Sequence, residues 1–179
     1  MIHWEIDEHA IVRTLTLDDA EEAFRVIDAN RDRLHPWMPW EPNTKSPADT
    51  RQFIERALAS DTDLEGNGIW VDRSLAGGIG MGVDTVNDTG EIGYWIGREF
   101  EGRGLVTRAA RLFVDHGFRN LGLHRISIHA AVENVRSRAV AERLGFAQEA
   151  VLRGACKTAL GYRDLAVYGM VADEWPPAA

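Results

Sequence analysis

Apolar positions recur at two periods along this chain, and the switches between them mark out its elements. Residues 11–15 alternate weakly as a strand. Thr16 or Asp18 can then cap a helix whose apolar positions Ala20, Ala23, Phe24 and Ile27 follow helical spacing. Residues 34–47 obey neither period. Pro36, Pro39, Pro42 and Pro47, four of the six prolines, are interleaved with Trp37, Met38 and Trp40, which excludes a regular helix or central strand. Ser46-Pro47-Ala48-Asp49 restarts a helix, with a serine cap, proline at the first helical position and a carboxylate in the first turn. Phe53, Ile54, Ala57 and Leu58 form its expected buried face. Ile69-Trp70-Val71, the polar turn Asp72-Arg73-Ser74 and residues 75–83 read as a hairpin. Gly77, Gly78, Gly80 and Gly82 precede no helix signal and no Lys-Ser/Thr, so they read as small strand residues rather than a nucleotide loop.

After the turn Asp88-Thr89-Gly90 comes the stretch that the rest is organised around. Residues 91–97 form a strand, Glu101-Gly102-Arg103-Gly104-Leu105-Val106-Thr107 a tight turn, and Leu105, Ala109, Leu112, Phe113 and His116 repeat at helical spacing until Asn120-Leu121-Gly122. Two glycines one residue apart let the backbone curl. The helix that follows turns its first unpaired N–H groups and positive dipole end into that curl, which suits a phosphate. Arg103 and Arg108 can add charge. Ile126, Ile128, Ala130 and Val132 alternate as a further strand, and Asn134 caps a helix with Val140, Ala141 and Leu144 inward and Gly145 at its end. Two last strands, roughly residues 147–153 and 165–172, are joined through Gly161-Tyr162-Arg163-Asp164. The tail Trp175-Pro176-Pro177 has no structure of its own. No repeat, linker or low-complexity segment divides the chain, so residues 1–179 read as one domain.

Composition narrows the function classes. At 179 residues with 45% apolar content there is material for one full core. A net charge of −8 disfavours nucleic acid as a partner and is compatible with cationic amines. Cys156, the one cysteine, excludes a disulfide framework and any multi-cysteine zinc site, and His129 lacks paired ligands and reads as a packed or surface histidine, so no metal is implied. Acidic residues near Met1 where a signal peptide needs basic ones, and no apolar stretch of spanning length, lead us to expect a soluble cytoplasmic protein without membrane association.

The strand 91–97, the turn Glu101-Gly102-Arg103-Gly104-Leu105-Val106, Asn134-Val135-Arg136-Ser137 and Leu144-Gly145-Phe146 together resemble the GNAT superfamily of acetyl-CoA-dependent N-acetyltransferases. More narrowly they resemble its RimJ/RimL branch, the ribosomal-protein N-terminal acetyltransferases, over nearly the whole chain. Glu101 and Val106 depart from the family's usual Gln or Arg and Gly or Ala. The resemblance implies a single α/β (α+β) domain, with a mixed, mostly antiparallel sheet of about seven strands, about four flanking helices and a V-shaped splay between central strands. It implies acetyl-CoA as cofactor, held by backbone groups near Trp95 and Ile96 and by the turn from Glu101, Gly102, Arg103, Gly104, Leu105, Val106 and Thr107 to Arg108. It places Asn134 on the cofactor and Ser137 beside the thioester sulfur as proton donor or relay; by themselves these two read as a helix cap and a first-turn serine. Trp37 and Trp40 either close the core or, as the resemblance implies, wall the acceptor side.

The base has two readings as well. The glutamate that some similar enzymes carry falls here on Cys156, so Glu91, on the strand entering the turn, is the alternative, working through water; it reads equally as an exposed strand-start carboxylate. Cys156 itself, with no histidine to place beside it, reads as a spectator thiol. A protein α-amine is already roughly one-tenth neutral at pH 7, whereas a lysine is neutral only about once in 2,500 molecules, so an N-terminus tolerates a weak base best. The acceptor expected first is therefore the α-amine of a (ribosomal) protein, attacking directly in a ternary complex. The alternatives are a small amine (aminoglycoside, polyamine or amino acid) and a non-catalytic acyl-CoA-binding module. Trp4 and Trp175 could support a homodimer or fold back onto their own domain.

Overall fold

The computed structural model describes residues 1–60, 62 and 64–176; Asp61, Asp63 and residues 177–179, Pro177 of the tail among them, lie outside the described residues. The strands are β1 (His3–Glu5), β2 (Ala10–Thr14), β3 (Asn67–Val71), β4 (Ser74–Asp84), β5 (Thr89–Ile96), β6 (Arg125–Ala131), β7 (Ala147–Thr158) and β8 (Gly161–Val171). They form one sheet in the order β1-β2-β3-β4-β5-β6-β8-β7, antiparallel at every junction except β5–β6. The helices are α1 (Ala20–Ala29), the single turn α2 (Arg31–Leu34), α3 (Pro47–Leu58), α4 (Leu105–Arg119) and α5 (Val135–Arg143). The strand beyond the expected seven is β1, whose three residues are too few to show an alternation; Trp4 opposite Val12 completes the edge.

Two cores lie on opposite faces of the sheet. Phe113 and Val114 of α4 and Val140 and Ala141 of α5 pack on Met81, Ile92, Ile126 and Ile128 in the larger one. Ala23 and Val26 of α1 and Ile54 of α3 pack on Leu15, Trp70 and Leu75 in the smaller one. The α3 face differs from the expected one. Thr50, Ile54 and Ala57 are buried, while Phe53 and Leu58 are 45% and 44% exposed, because α3 rests mainly on α1 and reaches the smaller core through Ile54. The smaller core stops near β5, and among the described residues no helix packs extensively over the corresponding face of β6, β8 and β7. Gly77 and Gly78 let β4 and β5 approach: a Cβ on Gly77 would lie 2.2 Å from the Trp95 carbonyl oxygen, and one on Gly78 2.5 Å from the Trp95 indole nitrogen.

Three further readings are settled here. The β7–β8 strands extend beyond the expected ranges and turn at residues 159–160, not at 161–164. Their register slips between Leu152 and Cys156, where Gly154 takes φ +60° and its N–H donates 2.7 Å to the Asp164 carboxylate; this bulge is what interrupts the alternation in sequence. Both terminal tryptophans fold back: Trp4 meets Phe113 edge-on at 5.1 Å, and buried Trp175 donates its indole N–H 2.8 Å to Asp115. The proline-rich loop is pinned from within by Glu41, only 2% exposed, which accepts from Arg31 at 2.5 Å and meets His35 Nδ1 at 2.7 Å. Arg31 also donates to the Thr44 carbonyl at 2.6 Å, so one guanidinium ties α2 to the far end of the loop. Among the described residues no helix is long and apolar enough to cross a membrane.

Candidate active site

The site forms where two neighbouring strands part. β5 pairs with β6 from Thr89 opposite Arg125 to Ile92 opposite Ile128 and no further. Beyond that point β5 stays with β4 as far as Ile96 opposite Gly77, while β6 stays with β8 as far as Ala131 opposite Leu165. Each strand follows its antiparallel partner, and the parallel ladder between them opens into the expected V. The edge of residues 93–96 that faces the opening has no strand partner, which leaves peptide groups there available for a ligand.

Alternation along β5 sends its side chains to opposite faces of this opening. Tyr94 lies on the face of Ile92 and Ile96, beneath α5. Its hydroxyl donates to the Ser137 carbonyl at 2.9 Å and accepts from Ser137 Oγ at 3.2 Å. Burial pushes the Tyr94 phenol up to about 12, against the opposing pull of Ser137, so the hydroxyl keeps its proton at neutral pH. Sequence reasoning missed Tyr94, although its parity with Ile92 and Ile96 already placed it inward. Because an unfolded tyrosine ionises near pH 10 and folded Tyr94 only near 12, the unfolded state holds fewer protons between those values. Stability is therefore expected to fall as pH rises from about 10 to about 12, by on the order of 2 kcal/mol, and chemical denaturation of Tyr94→Phe should lack that component. Asn134 caps α5, its Oδ1 accepting from the Ser137 N–H at 3.2 Å.

Glu91, Gly93 and Trp95 point to the other face. Trp95 sits 6.2 Å from Trp40, centroid to centroid, so Trp40 borders this side of the opening, whereas Trp37 forms no aromatic pair among the described residues. A Cβ on Gly93 would meet nothing, leaving open floor between Glu91 and Trp95. Glu91 Oε2 lies 3.3 Å from Nδ1 of His129, a residue that its sequence context gave no reason to place there.

The turn at the end of β5 is the expected glycine curl. Gly102 and Gly104 take φ +75° and +71°, and the first helical bond runs from the Arg108 N–H to the Gly104 carbonyl at 3.1 Å. The amides of the first turn have no intrahelical acceptor. The charges around it are arranged differently from a simple anion cradle. Arg108 is paired with Asp7 and donates 3.2 Å to the Arg103 carbonyl, while Arg103 lies 5.3 Å over the Phe100 ring. The His9 amide, and then Arg108, hold the Asp7 carboxyl below its usual range. Glu101 is clasped by Arg33 and Arg136, each at 2.6 Å from Oε2, which compensates its charge. Cys156 stands on β7 opposite Arg163, partly buried, with burial pushing its thiol up and away from a reactive thiolate. The opening thus has a hydroxyl pair that can give a proton on one face, and a carboxylate beside an imidazole that can take one on the other.

The comparisons with known proteins agree with this geometry. A family model described as an acetyltransferase (GNAT) domain matches residues 9–147, from just before β2 to the first residue of β7. “Putative ribosomal N-acetyltransferase YdaF” of Bacillus subtilis is 37% identical over 180 residues, covering 98% of each chain. A crystal structure of a “Probable acetyltransferase” superposes with a TM-score of 0.90 at 37% identity, over 98% of this chain and 99% of that one. The microcin C7 self-immunity acetyltransferase MccE, solved with acetyl-CoA and AMP, has a TM-score of 0.84 at 28% identity, over 93% and 94%. With the splayed strands, the glycine turn and the Asn134 cap all inside the matched region, this chain belongs to the GNAT acetyltransferase family and is an N-acetyltransferase.

Proposed function

We propose that this enzyme transfers the acetyl group of acetyl-CoA to the α-amine at the N-terminus of a protein, a ribosomal protein first, by direct attack in a ternary complex. The observation that carries this reading is the unroofed face of β6, β8 and β7 beside Glu91, which admits a polypeptide where a small-amine enzyme would enclose its substrate. The name of the Bacillus subtilis relative points the same way.

The residues present fit the cofactor. Gly102 and Gly104 hold positive φ with open space at Gly102, so amides from Arg103 to Thr107 can face a diphosphate at the N-terminus of α4. Arg103 and Arg108 lend positive charge to the same turn, Glu101 having its own compensated by Arg33 and Arg136. Ile96, next to Trp95, offers strand-edge peptide groups to the pantetheine arm, and Asn134, its oxygen used by the cap, has its side-chain N–H groups to give. Acetyl-CoA supplies a thioester and a thiolate leaving group. Ser137, hydrogen-bonded to Tyr94, delivers a proton on the thiolate side, and Glu91, beside His129, lies on the other side, where the amine's proton leaves. Trp37 and Trp40 wall the acceptor.

The test is to incubate the protein with acetyl-CoA and panels of peptides with free N-termini, N-blocked lysine peptides and small amines, following free thiol. Release with the first panel is expected. Turnover on small amines alone would reject the protein acceptor, and cofactor binding without turnover would favour a non-catalytic acyl-CoA-binding module.

A further inference from the structure

We infer that His129 is the group that takes the proton from the incoming amine, with Glu91 as its positioning residue. This rests on acetyl transfer through the β5–β6 opening and identifies the base in it.

Position comes first. Ile128 ends the ladder with β5, so His129 is the first residue of β6 beyond the point where the strands part. Glu91 is opposite Ser127 across the parallel pair, and Ser127 and His129 are two apart on one strand, so all three side chains share a face. That face is opposite Tyr94 and Ser137. Proton donor and proton acceptor thus flank the opening from two sides, as attack by one group and departure of another require.

Geometry within the pair fixes which atom is free. Nδ1 of His129 faces Glu91 Oε2 at 3.3 Å, and Nε2 has no partner among the described residues. The His129 side chain is 27% exposed against 58% for Glu91, so the ring is the more enclosed of the two and still reachable. The contact is an ion-pair approach rather than an aligned hydrogen bond; the carboxylate beside Nδ1 favours the tautomer that carries its proton there, which leaves the Nε2 lone pair for the substrate. The other charged groups on this face are committed or remote. Arg125 of β6 is paired with Glu149 of β7 at 2.7 Å, and Arg163 lies farther along β8, opposite Cys156. The residue directly opposite His129 on β8 is Val167. Imidazole, as a class, exchanges its proton near neutral pH, where a proton acceptor is most effective, while carboxylates titrate far below.

The step balances as follows. One proton of the substrate ammonium moves to Nε2 of His129 and from there to water. The freed nitrogen lone pair forms the N–C bond to the acetyl carbon as the C–S bond breaks and its electron pair stays on sulfur. Sulfur takes a proton from the Ser137–Tyr94 hydroxyl pair, and the second proton lost by nitrogen restores that pair through solvent.

The experiment compares wild type, His129→Gln and Glu91→Gln on an N-terminal peptide, and on an N-blocked lysine peptide if it turns over, from pH 6 to 9, with acetyl-CoA affinity measured separately by calorimetry. His129→Gln is expected to lower kcat/KM for the α-amine about tenfold at pH 7, from the roughly one-tenth neutral fraction, and to approach wild type at pH 9, where the amine is neutral without help. The loss on the lysine peptide should be larger and persist to pH 9. Glu91→Gln, which keeps the imidazole but loosens its orientation, should lose less, in kcat rather than in KM, and its loss, like that of His129→Gln, should shrink at pH 9. Acetyl-CoA affinity should stay within about twofold in both. An unchanged rate in His129→Gln at pH 7, a loss equal at pH 7 and 9, or a larger loss in Glu91→Gln would overturn the assignment. Should wild type prefer another amine, the acceptor proposal fails while the His129 comparison is decided on that amine by the same criteria.

Discussion

Replacing Gly104 with valine is expected to weaken coenzyme A binding by roughly 30-fold, and a calorimetric titration reads this directly. Gly104 sits at φ +71° immediately before α4, a conformation that costs an L-residue about 1–2 kcal/mol and a β-branched one more. The chain can relieve that strain by rotating Gly104 back to negative φ, which swings the amides of Leu105, Val106 and Thr107 off a common target. Since the proposed diphosphate contacts come from main-chain nitrogens, no side chain compensates. A penalty of about 2 kcal/mol corresponds to the stated loss in affinity. Gly104 itself is exposed and outside both cores, so thermal stability should fall by no more than the same amount. Gly82→Ala is the control, because its Cβ meets no atom within 4 Å and its backbone has no positive φ. Binding of Gly104→Val within threefold of wild type would remove the glycine turn from the cofactor site, and with it the mechanism proposed above.

The second large effect lies at the proton donor. Tyr94→Phe combined with Ser137→Ala is expected to lower kcat by about 100- to 1,000-fold with little change in KM for either substrate, within the usual range for removing a positioned acid. The two hydroxyls bond each other, and Tyr94 also holds the Ser137 carbonyl, so they act on one proton as a unit. Single variants should each cost roughly 30-fold or more, and their combined loss should be less than the product, because removing either hydroxyl already breaks a relay that carries one proton. Phenylalanine preserves the packing beneath α5, so a lost rate with an intact melt identifies chemistry rather than collapse. An unchanged kcat in the double variant would exclude both residues from the transfer.

Much of the framework was legible residue by residue. The glycine pair at 102 and 104, the Asn134 cap, the proline loop and the alternation in β4 to β6 depend on φ preferences and periods confined to a few neighbours, and each formed where expected. The errors fall where a longer-range contact decided the outcome. Phe53 and Leu58 are apolar at helical spacing, but α3 meets α1 along Ile54 and Ala57 instead. The β7–β8 turn moved because a bulge held by Asp164 breaks the alternation. Glu101, an awkward carboxylate beside the glycine turn, is reconciled only by Arg33, 68 positions earlier, and Arg136.

By itself the chain's order of residues determined a mixed α/β pattern with a glycine curl directly after the strand at residues 91–97, because turns, caps and side-chain parity are properties of short segments. Only the tertiary structure decided which groups meet at the opening: Tyr94 with Ser137 across 43 positions, and Glu91 with His129 across two strands. Those meetings follow from β5 staying with β4 while β6 stays with β8, a competition among four strands that no local stretch encodes.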